Sequence, residues 1–219
     1  MRIYIVRHGE TRLNREARLQ GWVDEPLLAE GRQLATVTGQ GLGDIAFDLC
    51  FSSPLKRALE TAELILKENK TASSLEIRRD DRLREIRWGV WDCKICVGEN
   101  IEVPAEEYLK VKTDPLHFSP PEGAESFHDV IRRCRAFYDE ITADASMQDK
   151  TILISTHGVA MRSLLNHIYE DSADFWHGRS PYNLAVNIVD YKDGVSTLVG
   201  DDVIYYDKSL CFDPYGYDS

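Results

Sequence analysis

The sequence predicts an α/β fold: a three-layer sandwich with a mostly parallel central sheet, helices on both faces and an antiparallel edge strand. Three observations predict it. Short apolar runs recur at 2–6, 48–51 and 151–155. Segments of helical period lie between them, the clearest at 125–145. Near the end, Lys192-Asp193-Gly194 separates two strand-like runs, which is a hairpin signal. With 219 residues and no convincing linker or internal repeat, one domain spanning 1–219 is the expectation.

In chain order, Arg2-Ile3-Tyr4-Ile5-Val6 reads as a short buried strand. Residues 27–40 are helical in composition and stop at Gly41-Leu42-Gly43-Asp44. A second strand, 48–51, runs into Ser52-Ser53-Pro54, where serine as N-cap and proline at the first helical position start a helix. Leu55, Ala58, Leu59, Ala62, Ile65 and Leu66 form its apolar stripe. Residues 75–78 are a candidate third strand. The stretch 86–123, broken by Pro104, Pro115, Pro120 and Pro121, reads as an insertion with one short helix. Phe127, Val130, Ile131, Cys134, Phe137, Tyr138 and Ile141 then repeat at helical spacing. The strand 151–155 is followed by a helix over 159–169, and strands 184–191 and 195–199 flank the hairpin turn. The tail from 205 onward has no usable period.

A hydrophobic content of 43% against 29% charged residues places the chain among globular proteins. A net charge of −11 argues against a nucleic-acid partner and means that any bound anion needs a local positive pocket. No apolar run is long enough for a secretion signal or a membrane span, so neither a membrane partner nor export is expected. Five scattered cysteines fit a reducing cytoplasm better than a disulfide framework. Cys93-Lys94-Ile95-Cys96 has the spacing of half a zinc site or a redox pair, but no second pair completes it, and chance is the favoured reading. Neither metal nor cofactor is expected.

Ligands of open α/β sheets bind beyond the carboxyl ends of the strands. Arg7-His8-Gly9 follows the first strand, Ser52-Ser53-Pro54-Leu55-Lys56-Arg57 the second, and Thr156-His157-Gly158 the strand at 151–155. If these strands are parallel and adjacent, two histidines and two arginines meet at one edge. Guanidinium forks, backbone N–H groups beside Gly9 and Gly158 and nearby helix N-termini suit a compact anion, with phosphate the natural candidate. A lone histidine is more often structural than catalytic, so His117, His128, His167 and His177 are set aside. His8 and His157 differ because each follows a buried strand and precedes glycine.

These residues resemble the histidine phosphatase superfamily, the phosphoglycerate-mutase-like group. "RHGETRLN" at 7–14, "LQGWVDEPLLAEGRQLA" at 19–35, "SSPLKRALETA" at 52–62, "LREIRWGVWD" at 83–92, "GAESFHDVIRR" at 123–133 and "STHGVAMRSLL" at 155–165 resemble its motifs in its order. The resemblance implies a phosphoglycerate-mutase-like fold and gives His8 as the nucleophile that takes a phosphoryl group. It gives Arg7, Arg57 and His157 as holders of the phosphoryl oxygens, with Asn14 and a backbone N–H near Gly158 assisting. It gives Glu85 as the proton donor to the leaving oxygen. Gln20, Gly21 and Glu125 lie in matching segments, and Glu125 can equally be a favourable charge in the first turn of a helix. The chain departs from the pattern at Asp92-Cys93, Ala29 and Thr156, none of them a core catalytic position.

The superfamily divides between phosphatases and mutases. Phosphoglycerate mutases carry Arg-His-Tyr-Gly after the acid and Arg-Arg-Ser-Tyr-Asp in the insertion. Here the corresponding places read Arg87-Trp88-Gly89 and "YLKVKTDPLHF". The expectation is therefore a phosphomonoesterase acting on a small phosphorylated metabolite through a phosphohistidine. A cofactor-dependent phosphoglycerate mutase and an inactive binding or regulatory relative are the alternatives. The insertion is expected to cap the pocket, where Trp88, Trp91 and Tyr108 either line it or fill a core. Oligomeric state stays open, and the tail is a candidate to fold over the site.

Overall fold

The computed structural model describes residues 1–213 and Tyr215; the rest of the tail lies outside the described residues. Its strands are β1 (Arg2–Arg7), β2 (Leu49–Ser52), β3 (Ile77–Arg79), β4 (Thr151–Thr156), β5 (Val186–Lys192) and β6 (Val195–Val203). Its α-helices are α1 (Arg12–Arg15), α2 (Ala29–Gly41), α3 (Lys56–Glu68), α4 (Ala105–Thr113), α5 (Phe127–Ala143) and α6 (Gly158–Leu165). The strands form one sheet in the order β3-β2-β4-β1-β5-β6. β1, β2, β3 and β4 run parallel, whereas β5 pairs antiparallel with β1 and β6 antiparallel with β5.

The period of two in the strands divides the core. Ile3, Ile5, Ile152 and Ile154 pack on one face with Phe127, Val130 and Phe137 of α5 and Ala160 and Leu164 of α6. Tyr4, Val6, Cys50 and Leu153 pack on the other with Ala35 of α2 and Ala62 and Ile65 of α3. Each strand is apolar on both faces because each face meets a helix layer. This is the expected α/β sandwich with its antiparallel edge.

Helix ends account for the differences from the sequence reading. α5 begins at Phe127 because Ser126 and Asp129 close a reciprocal capping box. α3 begins at Lys56, not at Pro54, and its N-cap is Leu55. Ser53 is instead engaged by His157, whose Nε2 lies 2.8 Å from its Oγ. α6 starts one residue early and stops at Leu165 rather than 169. β3 is shifted to 77–79. The hairpin turn is as expected, with Asp193 and Gly194 both left-handed (φ 53° and 81°), the pairing that matches the twist of its strands.

Candidate active site

Register brings the three strand ends together. Arg7 pairs with Thr156 across β1 and β4, and Ser52 with Ser155 across β2 and β4. The residues that follow, His8, His157 and Ser53, therefore leave the sheet side by side. Gly9 permits a tight exit, since a Cβ there would stand 2.8 Å from the carbonyl oxygen of Gly31 in α2.

Arg57 is fully buried in the first turn of α3. Its Nε–H points between two imidazoles, 3.2 Å from Nε2 of His8 and 3.2 Å from Nδ1 of His157. Its two terminal nitrogens donate to the carbonyls of Val23 and Gly21, each at 2.8 Å. Gly21 carries out its part through its backbone: its N–H donates to Asp92 at 2.7 Å, and a Cβ would lie 2.6 Å from the carbonyl of Ile86. Burial, partly opposed by Glu85 and other anionic groups, lowers the guanidinium to about 10, so it stays charged at neutral pH.

The partners fix the tautomers. His8 Nδ1 lies 2.7 Å from the carbonyl of Gly9, so it carries the proton and Nε2 presents its lone pair. His157 accepts from Arg57 at Nδ1 and donates from Nε2 to Ser53. Burial first, then the positive charges of Arg57 and Arg7, holds His8 well below the ordinary histidine range. Burial and Arg57 do the same to His157. Both rings are neutral at pH 7, and their centroids are 5.1 Å apart.

Glu85 stands across the pocket. Its Oε1 accepts from the N–H of Ile86 (2.9 Å) and of Ala160 (3.1 Å), and its Oε2 from that of Val159 (3.2 Å). It thus caps α6, whose own N-cap, His157, supplies no side-chain bond. Burial raises its pKa above the ordinary value of 4.5, against those N–H groups and Arg57. Trp22 Nε1 (2.9 Å) and Arg133 (3.0 Å) both donate to its main-chain carbonyl. Arg133 also pairs with Glu125 at 3.0 Å, and Glu125 accepts from the N–H of Arg87. Glu125 therefore precedes the α5 N-cap and braces the Glu85 segment from behind; it does not line the pocket.

Arg7, His8, Asn14, Gln20, Glu85 and Gly158 line one pocket. Thr11 Oγ1 lies 2.8 Å from Gln20 Oε1, which turns the Gln20 amide nitrogen away; that buried nitrogen and the buried Nε of Arg7 have no hydrogen-bond partner. Arg7 donates from a terminal nitrogen to the carbonyl of Pro181. Asn14 accepts from the N–H of Thr11 and donates to the hydroxyl of Tyr215 at 3.2 Å. Trp88, Tyr108 and Val111 of the 86–123 stretch line the pocket and also belong to the core cluster, to which Trp91 belongs without lining the pocket.

Sequence reasoning missed several participants. In sequence Ser53 reads as part of a helix start, although its place one residue beyond β2 puts it at the functional edge. Asn183, which donates to the His8 carbonyl at 2.8 Å, and Ser180 and Trp176, which line the pocket, come from an aperiodic loop with no local signal. Tyr215 of the tail lines the pocket beside Asn14, and burial raises its phenol to about 12. Of the Cys-x-x-Cys pair, Cys96 is buried with its thiol on the Ala17 carbonyl (3.1 Å), and Cys93 is partly exposed. Among the described residues no cluster of three or more His, Cys, Asp or Glu is placed to hold a metal, and no helix is long and apolar enough to cross a membrane.

Known proteins resemble this chain in sequence and in fold. Phosphoserine phosphatase 1 of Hydrogenobacter thermophilus is 30% identical over 177 residues, covering 80% of this chain and 80% of that one. The 2,3-bisphosphoglycerate-dependent phosphoglycerate mutase 2 of Gloeobacter violaceus is 32% identical over 74% of this chain and 73% of its own. The solved structure of YhfR from Bacillus stearothermophilus superposes with a TM-score of 0.82 at 30% identity, covering 93% of this chain and 98% of that one. The family model of the histidine phosphatase superfamily, branch 1, matches residues 3–201, and the chain belongs to that superfamily.

Proposed function

We propose that the protein is a phosphomonoesterase that hydrolyses a small phosphorylated metabolite through a phosphohistidine at His8. The observation that carries this reading is His8, held neutral with its proton on Nδ1 so that Nε2 keeps a lone pair toward a buried guanidinium, while a carboxyl whose pKa burial raises stands across the same pocket. Such a nitrogen is a competent nucleophile toward phosphorus.

In the first step His8 Nε2 forms a bond to phosphorus and the P–O ester bond breaks. The unpartnered donors on Arg7 and Gln20, with Arg57, Asn14 and the backbone N–H of Gly158, take up the equatorial oxygens, and His157 joins them by releasing its Nε2–H from Ser53. Glu85 gives its proton to the departing oxygen, which leaves as an alcohol. An arriving phosphoryl dianion holds that proton on Glu85 until it is needed, because added negative charge raises a carboxyl's pKa further. In the second step ionised Glu85 takes a proton from water, whose oxygen attacks phosphorus. The N–P bond breaks, and inorganic phosphate and His8 are released. The 86–123 stretch caps the pocket, and the free cysteines suit a cytoplasmic setting.

The mutase reading keeps support from the relatives that carry that name. Phosphate release from an alkyl phosphate, measured beside coupled interconversion of 3- and 2-phosphoglycerate, separates the two. Phosphate release that His8→Ala abolishes is expected; interconversion without phosphate release would establish the mutase instead.

A further inference from the structure

The pocket lining is mixed: Arg7, His8, Asn14, Gln20, Glu85, Ser180 and Tyr215 bring hydrogen-bonding groups to it, while Leu19, Trp88, Val111, Val159 and Trp176, with the ring of Tyr108, bring apolar surface. Trp176 turns its indole N–H to the carbonyl of Val111 at 2.7 Å, so that polar atom serves the wall itself. Among the described residues, apart from Arg57 buried against His8, Arg7 is the one Lys or Arg side chain that lines the pocket. Two further cations have chain neighbours in the lining, but the tail engages both: Lys112 donates to the carbonyl of Tyr215, and Arg179 lies 3.8 Å from Asp213.

We propose that the ester this site accepts carries one phosphoryl group on an uncharged alcohol with a flat, apolar body. The proposal rests on the phosphatase reading above and adds the leaving group to it. A carboxylate or second phosphate on that body would lose its hydration against the apolar part of the lining, which holds no second cation for its charge. An aromatic or alicyclic body buries its faces against Trp88 and Tyr108 with no such cost. The net charge of −11 works in the same direction, since it repels polyanionic esters over the whole surface.

The test compares alkyl esters, so that leaving-group chemistry is similar across the set: 2-phenylethyl phosphate, 3-phosphoglycerate, phosphoserine and fructose 2,6-bisphosphate. The expected result is kcat/KM higher by about tenfold or more for 2-phenylethyl phosphate, carried by a lower KM. Val111→Lys places a cation in the apolar wall, and is expected to raise activity on 3-phosphoglycerate and lower it on 2-phenylethyl phosphate. A measurement that needs no variant is competitive inhibition by the free alcohols: 2-phenylethanol is expected to inhibit well below the concentration at which glycerate does. Preference of the wild type for any of the multiply charged esters, or equal inhibition by the two alcohols, overturns the proposal and leaves the phosphatase reading standing. Failure to hydrolyse any ester in a His8-dependent way sinks that reading itself.

Discussion

The Nε–H of Arg57 is shared between His8 Nε2 and His157 Nδ1, 3.2 Å from each. One buried cation thereby faces the unprotonated side of two histidines from two different strands. It excludes a proton from both nitrogens and aligns the attacking lone pair.

Lysine cannot reproduce this arrangement, because Arg57 also spends two terminal nitrogens on Gly21 and Val23. Arg57→Lys and Arg57→Ala are both expected to lower kcat by about 10²–10³, the usual cost of one preorganised donor at a phosphoryl or oxyanion site. Steady-state kinetics check this; a near-normal Arg57→Lys enzyme would mean that only net charge matters.

Activity should be bell-shaped in pH. His8 must be neutral, and burial and Arg57 push it down from 6.5; Glu85 must be protonated, and burial pushes it up from 4.5. These opposite displacements both move toward a pH at which each group holds the form the reaction needs. The rate falls on the acid side as His8 gains a proton and on the alkaline side as Glu85 loses one. Stability follows the histidines: with folded pKa values depressed, the fold is secure above about 6.5 and weakens as pH falls below that value. Glu85, displaced upward, acts in the opposite sense. Thermal unfolding followed from pH 8 down to pH 5, roughly the range over which histidine titrates, is expected to show a falling midpoint.

Glu85→Gln removes the transferable proton and keeps the shape. A loss of about 10²–10⁴ is expected on alkyl phosphates, whose alkoxide needs that proton, and a much smaller loss on p-nitrophenyl phosphate. Loss of the alkaline limb of the pH profile should accompany it. Equal losses on both esters would assign Glu85 to holding α6 rather than to acid catalysis.

Trp22 reaches the Glu85 carbonyl through its indole N–H while Arg84 and Arg87 lie over its ring at 5.0 and 5.3 Å. Trp22→Phe keeps the ring and loses the bond, worth about 1 kcal/mol. A loss of up to about tenfold is expected on alkyl phosphates, with p-nitrophenyl phosphate unaffected. The split between the two esters distinguishes positioning of the acid from general loosening.

The parts of this site that periodicity and strand position encode were legible before the structure. β1 and β4 are runs of apolar residues because helices cover both their faces, and a polar Arg-His or Thr-His break marks where such a strand leaves the sheet. The Ser126 cap was hidden by two residues, since Glu125 is itself a plausible helix residue and only the contact with Arg133 shows its use. Ser53 satisfies the local rule for a helix cap, yet a long-range bond to His157 claims it. Asn183 and Tyr215 reach the site from aperiodic segments distant in the chain, and contacts of that kind leave no local pattern.

The central claim is covalent transfer to His8. Rapid mixing with substrate, quenching under alkaline conditions that preserve phosphohistidine, and peptide mass spectrometry tests it most directly. A phosphoryl group on the peptide containing His8, formed and consumed at rates compatible with kcat and missing from His8→Ala, is the predicted result. Turnover by His8→Ala at the wild-type rate, or a phosphoryl group on another residue, would contradict it.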